Sequence, residues 1–248
     1  MRGPTEIVPG VYGLGSEIVN WYLVEDGERL TAIDAGLPGF RGDVESELRA
    51  IGHRTWDVHA VVLTHSDSDH TGVAPTLRDD GARILIHDDD DGTLRDPGPK
   101  AGDGRPTKLF AQAWRPRFWR FMGGMASGGG AKPPKIEGAE TFADGDVLDV
   151  PGSPRVVHTP GHTPGHCALL FEGHDALFAG DALCTWNPLT GRRAPQVMPS
   201  AFNVSTDTAF ESLDAIESVE AETILTGHGE PWRDGARKAV AEAREART

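Results

Sequence analysis

Apolar and polar positions along the chain change over in short runs broken by turn residues, the pattern of strands with intervening helices rather than of a helical bundle. Residues 18–24 form a β-rich run around Trp21, Tyr22 and Leu23, closed by Glu25, Asp26 and Gly27. A second run over 30–34 follows one tight turn later, which predicts a hairpin. Val44, Leu48 and Ile51 recur at i, i+4 and i+7 and predict a helix over 40–51. Further strands are predicted at 59–64, 83–87, 147–150, 155–158, 167–171, 176–179 and 223–226. A short helix opens near Thr71, and a charged helix closes the chain over 232–247. Residues 208–219 read as an amphipathic helix, with Phe210, Leu213, Ile216 and Val219 on one face and Thr208 and Glu211 at capping-box spacing. Strand runs and helices in both halves predict an α/β fold of two sheets covered by helices.

Residues 88–140 break this pattern. An acidic run, Asp88 to Asp91, reads as a solvated loop, and many Gly and Pro follow. The stretch is read as an insertion, with one or two helices, into a single domain spanning 1–248. Long insertions of this kind are commonly lids or binding loops. Within it, residues 109–122 carry Trp114, Phe118, Trp119, Phe121 and Met122 interleaved with Arg115, Arg117 and Arg120. Two readings stand: a helix packing on its own domain or on a second copy in a homodimer, or a lid whose Trp114 and Trp119 cover an apolar substrate, with arginines for an anionic group.

Composition narrows the partners. Thirty-eight acidic against 24 basic residues give a formal charge of −14, which argues against nucleic acid and against an anionic membrane surface. Two cysteines, Cys167 and Cys184, make no disulfide framework. No apolar run approaches the roughly 18 residues of a membrane span. The first residues lack the apolar core of a signal peptide, so a cytoplasmic protein acting on a small molecule is expected.

The ten histidines are unevenly placed. His65-Ser66-Asp67-Ser68-Asp69-His70 follows a predicted strand and puts four ligand-type side chains in six residues. In extended chain His65 and Asp67 point the same way, and Asp69 and His70 follow where the chain turns, so two adjacent cations can be served. A polar loop in which Asp69 caps a helix is the plainer alternative. It loses ground because three other strand-end segments carry ligands: His162 and His166 in Pro160-Gly161-His162-Thr163-Pro164-Gly165-His166, Asp181 after Gly180, and His228 between Gly227 and Gly229. His53, His59, His87 and His174 lie outside these segments and read as structural or surface groups, while His158 stands a short turn before the second one.

Taken in this order, these segments resemble the metallo-β-lactamase superfamily of dinuclear metallohydrolases. The resemblance runs from Asp34-Ala35-Gly36 to Gly227-His228-Gly229. It implies a four-layer αββα sandwich with two divalent metal ions, zinc above all, at one edge between the sheets. It implies His65, Asp67 and His162 on one metal, Asp69, His70 and His228 on the other, and Asp181 bridging. Asp69 would also orient the nucleophile and shuttle its proton, and Asp34 and His166 would support the ligands. The chain departs from the family's usual His-x-His-x-Asp-His at one position, where Asp67 replaces the middle histidine. Asp can ligate zinc, but it exchanges a neutral ligand for an anion, which weakens Lewis acidity and favours Fe or Mn.

A metal-activated water hydrolysing a small ester, thioester, lactone or amide is the expected activity. No Gly-x-Ser-x-Gly elbow suggests an acyl-enzyme instead. The carboxylate-rich ligand set keeps a non-hydrolytic, iron-dependent oxidoreductase as the alternative. Cys184 stands where lactonases of the family carry a tyrosine, which weakens that activity, and Trp186 and Asn187 are candidates for the pocket mouth. Only about twenty residues follow His228, which argues against the glyoxalase II type with its added helical domain.

Overall fold

The alternation of apolar residues builds two sheets and sorts their side chains into three cores. The computed structural model describes residues 2–247. The larger sheet runs in chain order: β1 (Arg2–Val8), β2 (Val11–Gly15), β3 (Asn20–Asp26), β4 (Arg29–Ile33), β5 (Val58–Val62), β6 (Arg83–His87) and β7 (Glu140–Phe142). Its first four strands are antiparallel and its last four parallel. The predicted hairpin is β3–β4, closed at Asp26 opposite Arg29. The smaller sheet comprises β8 (Arg155–His158), β9 (Cys167–Phe171), β10 (Ala176–Gly180) and β11 (Thr223–Thr226), with β10 and β11 parallel and the rest antiparallel.

Period-two alternation separates the two faces of each strand. Trp21 and Leu23 of β3 face a core shared with helices α1 (Val44–Ala50) and α2 (Ala74–Asp79). Tyr22 and Val24 face the opposite way, onto Leu169, Phe171 and Phe178 of the smaller sheet. Ala168, Leu170 and Leu177 point outward again, onto helices α6 (Thr206–Glu211), α7 (Leu213–Glu217) and α8 (Ala236–Glu245). Helix, sheet, sheet, helix is the four-layer sandwich.

Five local expectations change. Strands β1 and β2 precede the first predicted strand. The Asp88–Asp91 run is no loop but the first turn of α3 (Asp88–Arg95): the His87 side chain caps it by accepting from the Asp89 N–H, and acidic groups suit a helix N-terminus. Residues 147–150 make only an isolated bridge, Val147 opposite Arg155, with Leu148 and Val150 buried and Val147 65% exposed. The helix near 208 starts earlier, capped by Ser205, whose hydroxyl accepts from the Thr208 N–H, and it breaks into α6 and α7. The insertion holds three helices, α3, α4 (Pro106–Phe110) and α5 (Pro116–Ser127). Among the described residues no helix is long and apolar enough to cross a membrane.

Strand direction decides where chemistry gathers. The parallel strands β4 and β5 and the mutually parallel β8, β10 and β11 end at one edge, so the segments that follow them meet there. A hydrogen bond from the Cys167 N–H to the Thr64 carbonyl (2.9 Å) joins the two sheets at that edge.

Candidate metal centre

Asp34 leaves β4 in a left-handed conformation (φ 60°), a turn that Asp tolerates better than most residues. Its buried carboxylate accepts from the Thr64 N–H (2.8 Å), the Thr64 hydroxyl (2.9 Å) and His70 Nδ1 (2.8 Å). Because the Thr64 hydroxyl donates to Asp34, it accepts from His65 Nδ1 (2.9 Å). Two more imidazoles are fixed in the same way. His162 Nδ1 donates to Asn203 Oδ1 (3.1 Å), whose amide is oriented by its own bond to the Met198 carbonyl, and His228 Nδ1 donates to the Ile18 carbonyl. All four therefore donate from Nδ1 and turn Nε2 inward, the arrangement of a metal-ligating histidine.

The carboxylates complete two overlapping groups. Nitrogen and oxygen atoms of His65, Asp67 and His162 lie within 4.8 Å of one another, as do those of Asp69, His70 and His228. Asp181 stands between them: Oδ2 is 3.5 Å from His162 Nε2 and 3.1 Å from His228 Nε2, and Oδ1 is 3.6 Å from His70 Nε2. Asp69 caps no helix, because α2 begins at Ala74 behind Val73 with no side-chain cap. His166 accepts from the Asp181 N–H at Nε2 (2.9 Å) and so holds the carboxylate from behind rather than facing a cation.

These residues fit a metal. His65 Nε2, His70 Nε2 and Asp181 Oδ1 are buried without a hydrogen-bond partner, an arrangement that costs stability unless a cation meets them. The cradle also depends on Gly227, where a Cβ would stand 2.1 Å from Asp181 Oδ1 and 2.6 Å from His70 Cε1. The local field calls for positive charge as well. Burial opposes the ionised forms of Asp181 and His70, yet their neighbours prevail. His228 and His70 hold Asp181 well below the carboxylate range, while Asp34, Asp181 and Asp69 push His70 up to about 10. Burial drives His166 well down, leaving it neutral.

Two residues with no motif of their own shape the centre. Asp90, fully buried in the first turn of α3, accepts from the Ser66 N–H (2.9 Å), the Thr163 hydroxyl (2.7 Å) and the Gly165 N–H (2.8 Å), clamping the loops that carry His65 and His162. Lys100, in the insertion, sends its ammonium to Asp67 Oδ2 (2.5 Å). Neither stood out in the sequence: Asp90 lay in an acidic run read as a solvated loop, and Lys100 belonged to no motif.

A cleft of about 520 Å³ opens over Asp67, Asp69, His162, Asp181 and His228. Its apolar wall is Leu109, Phe121, Met122, Met125, Met198 and Phe202. Trp114 and Trp119 are not part of it. They are 73% and 57% exposed: the inward stripe of α5 is taken by Phe118 and Phe121, which leaves Trp119 on the outer side, and Trp114 stands in the turn before that helix begins. Cys184 is buried behind Asp181, its thiol pushed up by burial, and does not line the cleft. Asn187 braces its own loop by accepting from the Leu189 and Thr190 N–H groups. Trp186 lies 6.2 Å from the Phe121 ring and lines a neighbouring hollow of about 270 Å³. His158 stays outside the centre, stacked on His87 at 4.3 Å and bonded to the Pro164 carbonyl.

An αββα sandwich with an imidazole–carboxylate centre across one edge of both sheets is a metallo-hydrolase type of architecture. The family model for the metallo-beta-lactamase superfamily matches residues 14–228, and the chain belongs to that superfamily. It is 29% identical over 238 residues to the probable metallo-hydrolase YflN of Bacillus subtilis (strain 168), covering 91% of this chain and 86% of that one. It is 26% identical over 183 residues to a hydroxyacylglutathione hydrolase of Cereibacter sphaeroides (strain ATCC 17029 / ATH 2.4.9), covering 73% of this chain and 52% of that one. The metallo-beta-lactamase family protein TTHA1429 from Thermus thermophilus superposes with a TM-score of 0.67 at 27% identity, over 95% of this chain and 78% of that one.

Proposed function

We propose that the chain is a metal-dependent hydrolase of a small ester, thioester, lactone or amide, working at a two-metal centre built from His65, Asp67, Asp69, His70, His162, Asp181 and His228. The observation that carries this reading is the set of inward Nε2 atoms around buried carboxylates, with His65 Nε2, His70 Nε2 and Asp181 Oδ1 left without a hydrogen-bond partner. Divalent ions supply, when bound, Lewis-acid polarisation of the scissile carbonyl and a water nucleophile near neutral pH. The protein supplies the rest. Asp34, Thr64, Asn203 and the Ile18 carbonyl hold the imidazoles in one tautomer and orientation. Asp69, 6% exposed at the cleft floor, takes the proton of the attacking water at its carboxylate and returns it to the leaving atom. The methionines and phenylalanines of the wall receive the apolar part of the substrate. The relatives described as a probable metallo-hydrolase and a hydroxyacylglutathione hydrolase support the reaction class.

The test is a hydrolysis screen over lactones, thioesters, β-lactams and phosphodiesters, on chelator-stripped protein reloaded separately with Zn, Mn and Fe. Turnover of a carboxylic substrate that vanishes in Asp69→Ala is expected. No turnover above the stripped protein with any metal overturns the reading. An iron absorption band without hydrolysis would instead favour the oxidoreductase that the Asp67 carboxylate allows.

A further inference from the structure

Lys100 reaches into the centre from the insertion. Its stem packs on Gly104, and its ammonium lies 2.5 Å from Asp67 Oδ2, 2.9 Å from His162 Nε2 and 2.7 Å from the Phe202 carbonyl. We infer that Lys100 and a divalent cation compete for one coordination position, so that this chain binds a first metal ion tightly in the Asp69, His70, Asp181 and His228 group and a second only when Lys100 withdraws. The inference rests on the metal reading above and concerns the inequality of its two positions.

Three observations carry it. First, the occupants exclude each other. Asn203 fixes the proton of His162 on Nδ1, so the single Nε2 lone pair is what the ammonium engages. A zinc ion about 2.0 Å along that lone pair would lie roughly 1 Å from the ammonium nitrogen. Second, the two groups differ in what is satisfied. In the first group only His65 Nε2 is buried with no partner, because His162 Nε2 and Asp67 Oδ2 have Lys100, whereas in the second both His70 Nε2 and Asp181 Oδ1 lack one. Third, the formal charges close with one metal. Asp67, Asp69 and Asp181 bring three negative charges, which one divalent ion and one ammonium balance. A second divalent ion beside a retained ammonium would be repelled at short range. Asp67 is thereby explained: a carboxylate, unlike the histidine usual at that position, pairs with a lysine as readily as with a metal.

Full-length protein stripped with chelator and titrated with Zn²⁺ against a competing indicator, with bound metal counted by elemental analysis, tests this. The expected result is two phases, the second weaker by roughly tenfold or more. Lys100→Met should tighten the second phase and leave the first unchanged, and Lys100→Gln serves if the methionine variant does not fold. Two equivalents of equal affinity in the wild-type chain overturn the inference whatever the variants do. So does an unchanged second phase in a folded variant. Absence of any binding would instead sink the metal reading itself, and the inference with it.

Discussion

Asn203 decides how His162 can meet a cation, although no motif announces it. Its amide is fully buried and its partner is 41 residues away in the chain. Asn203→Ala frees His162 to carry its proton on either nitrogen. Metal affinity should fall by roughly 10- to 100-fold, with the far-UV circular dichroism unchanged; an unchanged titration would remove the tautomer from the account. The ligands themselves were legible because each belongs to a short segment at a strand end. Asn203, Asp90 and Lys100 were not, because their meaning lies in contacts made only by folding. Glu47 is a different case. Buried on α1 with Oε2 unpartnered, it is pushed up to about 7 by burial and then by Asp43. The folded chain thus holds this proton more tightly than the unfolded chain does. Stability is lost as pH rises from the ordinary glutamate range towards 7, and the loss is complete above it. Glu47→Gln should flatten the pH dependence of Tm in that window and melt a few degrees above wild type at pH 8, at about 2–4 °C per kcal/mol.

At the scale of elements, α3 ties the insertion to the centre. Its acidic first turn looked like a solvated run because four consecutive aspartates carry no periodicity, yet one of them is the clamp between two ligand loops. Asp90→Ala leaves two backbone N–H groups and a hydroxyl without their partner, at about 1–3 kcal/mol for each unsatisfied group. A loss of about 3 kcal/mol or more is expected in urea unfolding, with the m-value unchanged. Equal stability would mean that water replaces the carboxylate. In α5 the aromatic stripe was legible as a stripe but not as two faces. Helical spacing puts Phe118, Phe121, Met122 and Met125 on the inner side, and Trp119 on the outer one, where its indole N–H bonds the Ala113 carbonyl (2.8 Å). Phe121→Ala should therefore raise KM for substrates with apolar acyl groups, while Trp119→Ala leaves kinetics unchanged. The reverse result in steady-state assays would make the outer face the substrate-selecting one.

For the whole molecule, the two-sheet architecture was legible from alternation and strand spacing. Strands β1 and β2 were not, because they are interrupted by Gly3, Pro4, Gly13 and Gly15, and their register is irregular. What no local pattern shows is that the centre joins two halves. His65, Asp67, Asp69 and His70 follow the larger sheet, and His162, Asp181 and His228 belong to the smaller one. Protein groups already lace this edge: Tyr22 donates to the Thr226 carbonyl (2.6 Å), and Asn20 Nδ2 donates to the carbonyls of Thr226 (3.0 Å) and Gly229 (2.7 Å). Against them stand the closely spaced carboxylates of Asp34, Asp67, Asp69 and Asp181 in a chain whose formal charge is −14. Cations bound there would cross-link the sheets and relieve that repulsion, and the unfolded chain offers no comparable site. Binding to the folded state alone adds about 4 kcal/mol when free metal is 1,000 times Kd. At about 2–4 °C per kcal/mol for a chain of this size, stripping the metal should lower Tm by roughly 8–16 °C. Restoring Zn²⁺ should return it. A Tm indifferent to chelation, in protein shown by elemental analysis to have held metal beforehand, would mean that the protein's own hydrogen bonds hold this edge closed.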